Sequence, residues 1–412
     1  MTEQTPSELL ASLLLGQERD AVASAKETTE RGLWSNSIRL ALLWRCVPRL
    51  RSRIAELHVD AGLEATGSLA TVSAAAAAES AMVCRGAATA MSAIENAGVI
   101  TAAFKGLGTI ASIYRSPSDR MLSDADLLVR KEDFAPASKA LREAGFHPAI
   151  SIGFEEWVKL LDERVYPAHD FLDFVNADGV RIDLHWNLKA AGKGFSIDDI
   201  LTRSVSATLV RWPVRVVSAE DSIILTANHL VRDRLSPRTA VKDLSDIEAW
   251  LGVFDPESID DALEKRAQAA GFSTSLLACL RILVHYAPNG RARVAAEFVA
   301  QGCSPNERVA AERLARLFAL QLRRGEISEV AVGLSAVTPA LAGRFIMSRL
   351  RSLTDSKYSR HKFAGDDRLR TSARAQRFLR DVLTLTPERF RLYRALAREN
   401  QRQLQAADGE SH

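Results

Sequence analysis

The stretch Ser123-Asp124-Ala125-Asp126-Leu127-Leu128-Val129 decides how the rest of this 412-residue chain is read. An apolar run entered through two aspartates one residue apart has the period of a strand, in which residues i and i+2 share a face. Asp124 and Asp126 then project together while Ala125 and Leu127 turn to the core. Two carboxylates held side by side repel each other, and a fold keeps such a pair when a cation, a shared proton or basic partners neutralise it. A hard divalent ion with oxygen ligands is the natural occupant. Downstream, Val180-Arg181-Ile182-Asp183-Leu184-His185-Trp186 alternates in the same way, with Arg181, Asp183 and His185 on one face and the apolar residues on the other. Asp183 is therefore a third candidate ligand.

Working outward, residues 100–104 read as a short buried strand closed by Lys105-Gly106, and residues 107–114 as a helix. Residues 125–129 form the next strand, and 132–144 a helix ended by Gly145. Two further strands, 171–176 and 180–187, flank Ala177-Asp178-Gly179, a good hairpin turn because Gly179 can take positive φ. Residues 98–215 thus form an α/β core containing the acidic residues. Helices lie on both sides of it. In the N-terminal region, 1–97, Thr5-Pro6-Ser7-Glu8 offers a cap with proline at the first helical position, and the Ala-rich stretch 69–97 ends at Gly98. In the C-terminal region, 216–412, Ser218-Ala219-Glu220-Asp221 starts a helix through His229, and helices over 242–250 and 256–270 follow.

Composition narrows the partners. The formal net charge is only +3, so the whole molecule advertises no polyanionic partner. That near-neutral total conceals residues 344–402, which hold 16 Lys/Arg against six Asp/Glu. A solvated basic helix face is the preferred reading of this segment, and RNA binding the other. The four cysteines, Cys46, Cys84, Cys279 and Cys303, are far apart with no paired spacing, as expected of reduced thiols. The N-terminus carries no basic and apolar leader, and no apolar run is read as reaching the roughly 18 residues that cross a bilayer. The expectation is a soluble, cytoplasmic protein of bacterial type with no membrane partner.

Taken in order, Phe104-Lys105-Gly106, Ile113-Tyr114-Arg115, Arg120, Ser123-Asp124-Ala125-Asp126-Leu127-Leu128-Val129, Ala144-Gly145-Phe146 and Ile182-Asp183-Leu184-His185-Trp186 resemble the pattern of the uncharacterised nucleotidyltransferase family. Asn228-His229-Leu230 and Lys242-Asp243-Leu244-Ser245-Asp246-Ile247 resemble a downstream helical motif of the same family. This family is a bacterial branch of the DNA polymerase beta nucleotidyltransferase superfamily. The resemblance implies an α+β fold, a small mixed sheet with helical domains fore and aft, and metal-binding aspartates on neighbouring strands. Where the wider superfamily has Gly-Ser after its first strand, this chain has Lys105-Gly106. A lysine there supplies charge to phosphate, and Gly106 allows close backbone approach.

The implied activity is metal-dependent transfer of a nucleoside monophosphate from an NTP to a hydroxyl of an acceptor, with Mg²⁺ or Mn²⁺ held by Asp124, Asp126 and Asp183. Lys105, Gly106 and Arg120 are the candidates for binding the nucleotide. His185 is expected to orient a neighbour, and His229 with Asp243 to form a packed polar pair between helices. The acceptor is left open among a sugar, another small molecule, a peptide and a protein. Two other readings stay open at this point: a toxin-type enzyme acting on tRNA, and a non-catalytic nucleotide-binding module.

Overall fold

The computed structural model describes residues 3–114, 116–149, 171–188, 195–233, 235–254, 259–288 and 290–324. They belong to one compact unit, Met1–Ile150 with Phe154–Gly325. The basic segment 344–402, and with it the reading that concerned RNA, lies outside the described residues.

The N-terminal region begins with α1 (Pro6–Leu15), α2 (Glu18–Glu30), α3 (Trp34–Leu43) and α4 (Val47–Glu56). Thr5 and Glu8 form a reciprocal capping box that fixes the start of α1, whose leucines are almost wholly buried. Helix α5 (Leu63–Asn96) starts six residues before the sequence reading placed it. By length and composition it is apolar enough to cross a membrane, which corrects the reading that no such run exists. The alanines hid the signal, because each adds little apolar surface. Val83, Cys84, Ala87, Met91 and Ile94 are buried on this helix, which packs against the sheet.

The core follows as β1 (Ala102–Ala103), α6 (Lys105–Thr109), β2 (Ala125–Leu128), α7 (Phe134–Glu143), β3 (His147–Pro148), β4 (Phe171–Val175), β5 (Arg181–His185), α8 (Ile197–Arg203), β6 (Val205–Leu209) and β7 (Trp212–Val216). The seven strands form one sheet in the order β3-β4-β5-β2-β1-β7-β6. It is mixed: β2 runs parallel to β5 and β1 to β7, while the other neighbours are antiparallel. Gly179 has φ 80° in the β4–β5 turn, as the hairpin reading requires. The β6–β7 hairpin escaped the sequence reading because Pro213 interrupts an otherwise strand-like run. The helix expected over 107–114 is instead the short α6 running into a π-helical turn, Ile110–Tyr114.

After the sheet, α9 (Ala219–Arg232) is capped by Ser218, whose side chain accepts from the Asp221 amide. It is followed by α10 (Pro237–Gly252), α11 (Ile259–Ala270), α12 (Ser273–Tyr286), α13 (Arg291–Gly302) and α14 (Pro305–Arg324). The molecule is an α+β fold in which helices before and after the sheet pack with it.

Candidate active site

Strand pairing brings the acidic residues together. In the parallel β2–β5 ladder Asp126 stands directly opposite Asp183, and in the antiparallel β4–β5 ladder Asp183 stands opposite Asp173. Directly opposed residues point to the same face, so the three carboxylates form a row across three strands. Ligand atoms of Asp126, Asp183 and His185 lie within 4.8 Å of one another. Asp124 sits just before β2, half-buried, and accepts from Ser123 Oγ at 3.1 Å. Arg45 donates in turn to that serine hydroxyl.

The chain turns from β1 into α6 at Lys105, which takes φ 49° in the left-handed region. A lysine there is strained, and such strain concentrates at functional sites. The turn carries Nζ to 2.5 Å from Asp126 Oδ1. His185 approaches the same oxygen, with Nε2 at 2.9 Å. Phe171 stacks on this imidazole with centroids 4.7 Å apart, and Phe104 meets it edge-on at 4.9 Å. Burial lowers the His185 pKa to about 4, so the ring is neutral at pH 7. A carboxylate can only accept, so Nε2 carries the hydrogen.

Each acid responds to its own surroundings. Burial acts to raise the pKa of Asp126, but the Lys105 charge and the His185 hydrogen bond outweigh it and hold this carboxyl well below the usual range. Burial likewise opposes the charge on Lys105, and Asp126 outweighs that, raising the lysine pKa. Asp183 has only the more weakly acting Lys105 charge in its favour. Burial, then the charges of Asp126, Asp173 and Asp124, push it up to about 8, and its Oδ1 is buried with no hydrogen-bond partner. A buried oxygen without a partner, in a row of carboxylates beside a neutral imidazole, fits a divalent cation.

Arg120 lies against Gly106 and is paired with carboxylates of α10. Its side chain is 7% exposed, with Nε donating to Asp246 Oδ2 at 2.8 Å, Nη2 2.7 Å from the same oxygen and 3.4 Å from Asp243 Oδ1. Tyr114 donates to Asp246 at 3.1 Å, and Trp250 Nε1 to Thr109 Oγ1 at 3.2 Å. Arg120 therefore fastens α10 to α6 and the π-turn. Asp243 is taken up by Arg120 and by Lys242 at 3.0 Å, while His229 lies 3.4 Å from Asp233. The expected His229–Asp243 pair is thus only an electrostatic neighbourhood.

Gly106 has a packing reason. A Cβ added there would lie 1.9 Å from Arg120 Nη1, 2.5 Å from its Cζ and 2.7 Å from Leu122 Cδ2. Gly106→Ala is expected to displace the guanidinium from Asp246 and to cost about 3 kcal/mol, the range for breaking a buried ion pair. Thermal melting checks this; an unchanged midpoint would mean that the arginine moves aside without loss. Sequence reasoning missed Asp173, although one polar residue in Phe171-Leu172-Asp173-Phe174 was a readable signal.

No curated protein matches the chain. The family described as Uncharacterised nucleotidyltransferase matches residues 31–288, a span that holds the whole sheet, the carboxylate row and helices α9 and α10. The match covers more than half of the sequence and includes Lys105, Asp126, Asp183 and His185, so the chain belongs to the uncharacterised nucleotidyltransferase family.

Proposed function

We propose that this protein transfers a nucleoside monophosphate from an NTP to a hydroxyl group of an acceptor, using a divalent cation held by Asp124, Asp126 and Asp183. The observation that carries this reading is the β2–β5 register, which opposes Asp126 to Asp183 and leaves Asp183 Oδ1 buried without a partner. A cation there, Mg²⁺ or Mn²⁺, would supply charge neutralisation at the α-phosphate and acidify the acceptor hydroxyl.

The chain's own residues do the rest. His185, clamped between Phe104 and Phe171, fixes the Asp126 carboxylate by its hydrogen bond. Lys105 neutralises Asp126 before substrate arrives and stands at the edge of the site to meet phosphate oxygens. Asp183 faces the acceptor hydroxyl. The acceptor oxygen forms a bond to the α-phosphorus, the bond from that phosphorus to the pyrophosphate oxygen breaks, and the hydroxyl proton passes to Asp183, whose carboxyl a bound cation would hold ionised. We place this activity in the cytoplasm.

Incubation with Mg²⁺ or Mn²⁺, cell extract and each of the four NTPs, labelled in parallel at the α- or the γ-phosphate, tests the proposal. Label is expected to enter one acceptor, with pyrophosphate released in equal amount, and the Asp126→Asn protein should transfer none. Transfer of γ-label in place of α-label would make the protein a kinase and defeat the reading.

A further inference from the structure

A triphosphate brings about four negative charges to a site that already contains Asp124, Asp126, Asp173 and Asp183. Lys105 is bound to Asp126 and Arg120 is closed off by Asp243 and Asp246, so neither alone balances that load. A divalent cation would offset part of that load at the α-phosphate, the outer phosphates gain from a further basic group, and α9 carries one. This helix packs against α6, the helix that opens with Lys105. On α9, His229 and Arg232 are three residues apart and therefore share a face. His229 shows where that face points: its ring lies within electrostatic reach of Lys105, Asp126 and Asp243, and its Nδ1 is buried with no hydrogen-bond partner. Arg232, one turn on, acts electrostatically on the His185 ring. It is exposed, and among the described residues its side chain makes no hydrogen bond or ion pair.

An exposed guanidinium without an ion pair, on a helix packed against α6 and within electrostatic reach of His185, has a ready use. Arginine meets phosphate bidentately, through two parallel N–H donors in a fixed plane. We infer that Arg232 of α9 is the triphosphate-binding cation of this site, reaching over the carboxylate row to pair with the β- and γ-phosphate oxygens of the NTP. The inference rests on the nucleotidyl-transfer reading and adds to it a residue from the helical region after the sheet. The site is then built from two sides: the sheet supplies the carboxylates, and α9 closes the phosphate end.

Inorganic tripolyphosphate with Mg²⁺ is the probe, because it is common to all four NTPs and carries no base. Calorimetric titration into the full chain should show binding that weakens about tenfold or more in Arg232→Met, which removes a charged bidentate contact. Arg232→Lys should recover part of that loss by restoring the charge without the planar fork. Because Arg232 is exposed, the melting temperature of both variants should match the parent. Unchanged binding by Arg232→Met, alongside lost binding by Asp126→Asn, would overturn the role of Arg232 and leave the nucleotidyl-transfer reading standing. A parent protein that bound neither tripolyphosphate nor any NTP would remove both.

Discussion

Asp183→Asn is expected to abolish transfer while making the protein more stable in the absence of a divalent cation. The loss of turnover should be about a thousandfold or greater, with NTP affinity kept within about tenfold, because the residue serves the attacking hydroxyl more than the bound nucleotide. The gain in stability follows from its raised pKa. A carboxyl that titrates near 8 in the fold, against 3.8 as its ordinary value, is penalised for being charged. That penalty is absent below pH 4, grows as pH rises from 4 to 8, and is constant above. Each tenfold change in proton affinity corresponds to about 1.4 kcal/mol, and after allowance for solvent at the mouth of the site roughly 3 kcal/mol remains at neutral pH. The melting temperature of Asp183→Asn should therefore exceed that of the parent by roughly 5 °C at pH 8 and by nothing at pH 4. Mg²⁺ should narrow the difference at pH 8 by stabilising only the parent. A variant that melts below its parent at pH 8 would mean that Asp183 is held by partners that make its charge welcome.

What the sequence made legible was set by periodicity. The strand around Asp183 showed because an apolar face alternates with polar positions, and the strand around Asp126 showed as an apolar run entered through two aspartates. The match of Asp126 to Asp183 across β2 and β5 was not legible, because register between strands some sixty residues apart depends on the whole sheet. Arg120 is instructive for the same reason. Near an aspartate pair in sequence, it looks like a phosphate ligand. Its partners in the fold, Asp243 and Asp246, come more than 120 residues later, on a helix whose docking no local pattern announces. Arg232 is the converse case: nothing around it in the sequence distinguishes it from a solvated helix residue, and only the packing of α9 on α6 gives it a role. The two-residue β1 was legible as part of the longer buried run 100–104, and its end aims Lys105.

Asp126→Asn is expected to destroy activity by at least about a thousandfold and, unlike Asp183→Asn, to weaken the fold. Taken as neighbours in sequence, Asp124 and Asp126 looked mutually destabilising, so that removing their charge should cost nothing or help. Pairing with Lys105 at 2.5 Å and His185 at 2.9 Å reverses the sign for Asp126. Its pKa is depressed, so the stability it contributes is present above the unfolded value near 4 and is lost as pH falls through its folded value. Neutralising it leaves the Lys105 ammonium charged in a largely buried position. Because the lysine side chain keeps 24% of its surface exposed, the cost is discounted from the 3–5 kcal/mol of a fully buried pair to about 2 kcal/mol. The double variant Lys105→Met, Asp126→Asn should regain most of that stability and none of the activity, since it removes the stranded charge and leaves the site without its carboxylate. A thermodynamic cycle of the two single variants and the double one, measured by denaturant unfolding at pH 7, isolates the pair. A coupling energy near zero would show that the Lys105–Asp126 contact contributes nothing to the fold, and that Lys105 is held in its strained backbone conformation by α6 alone.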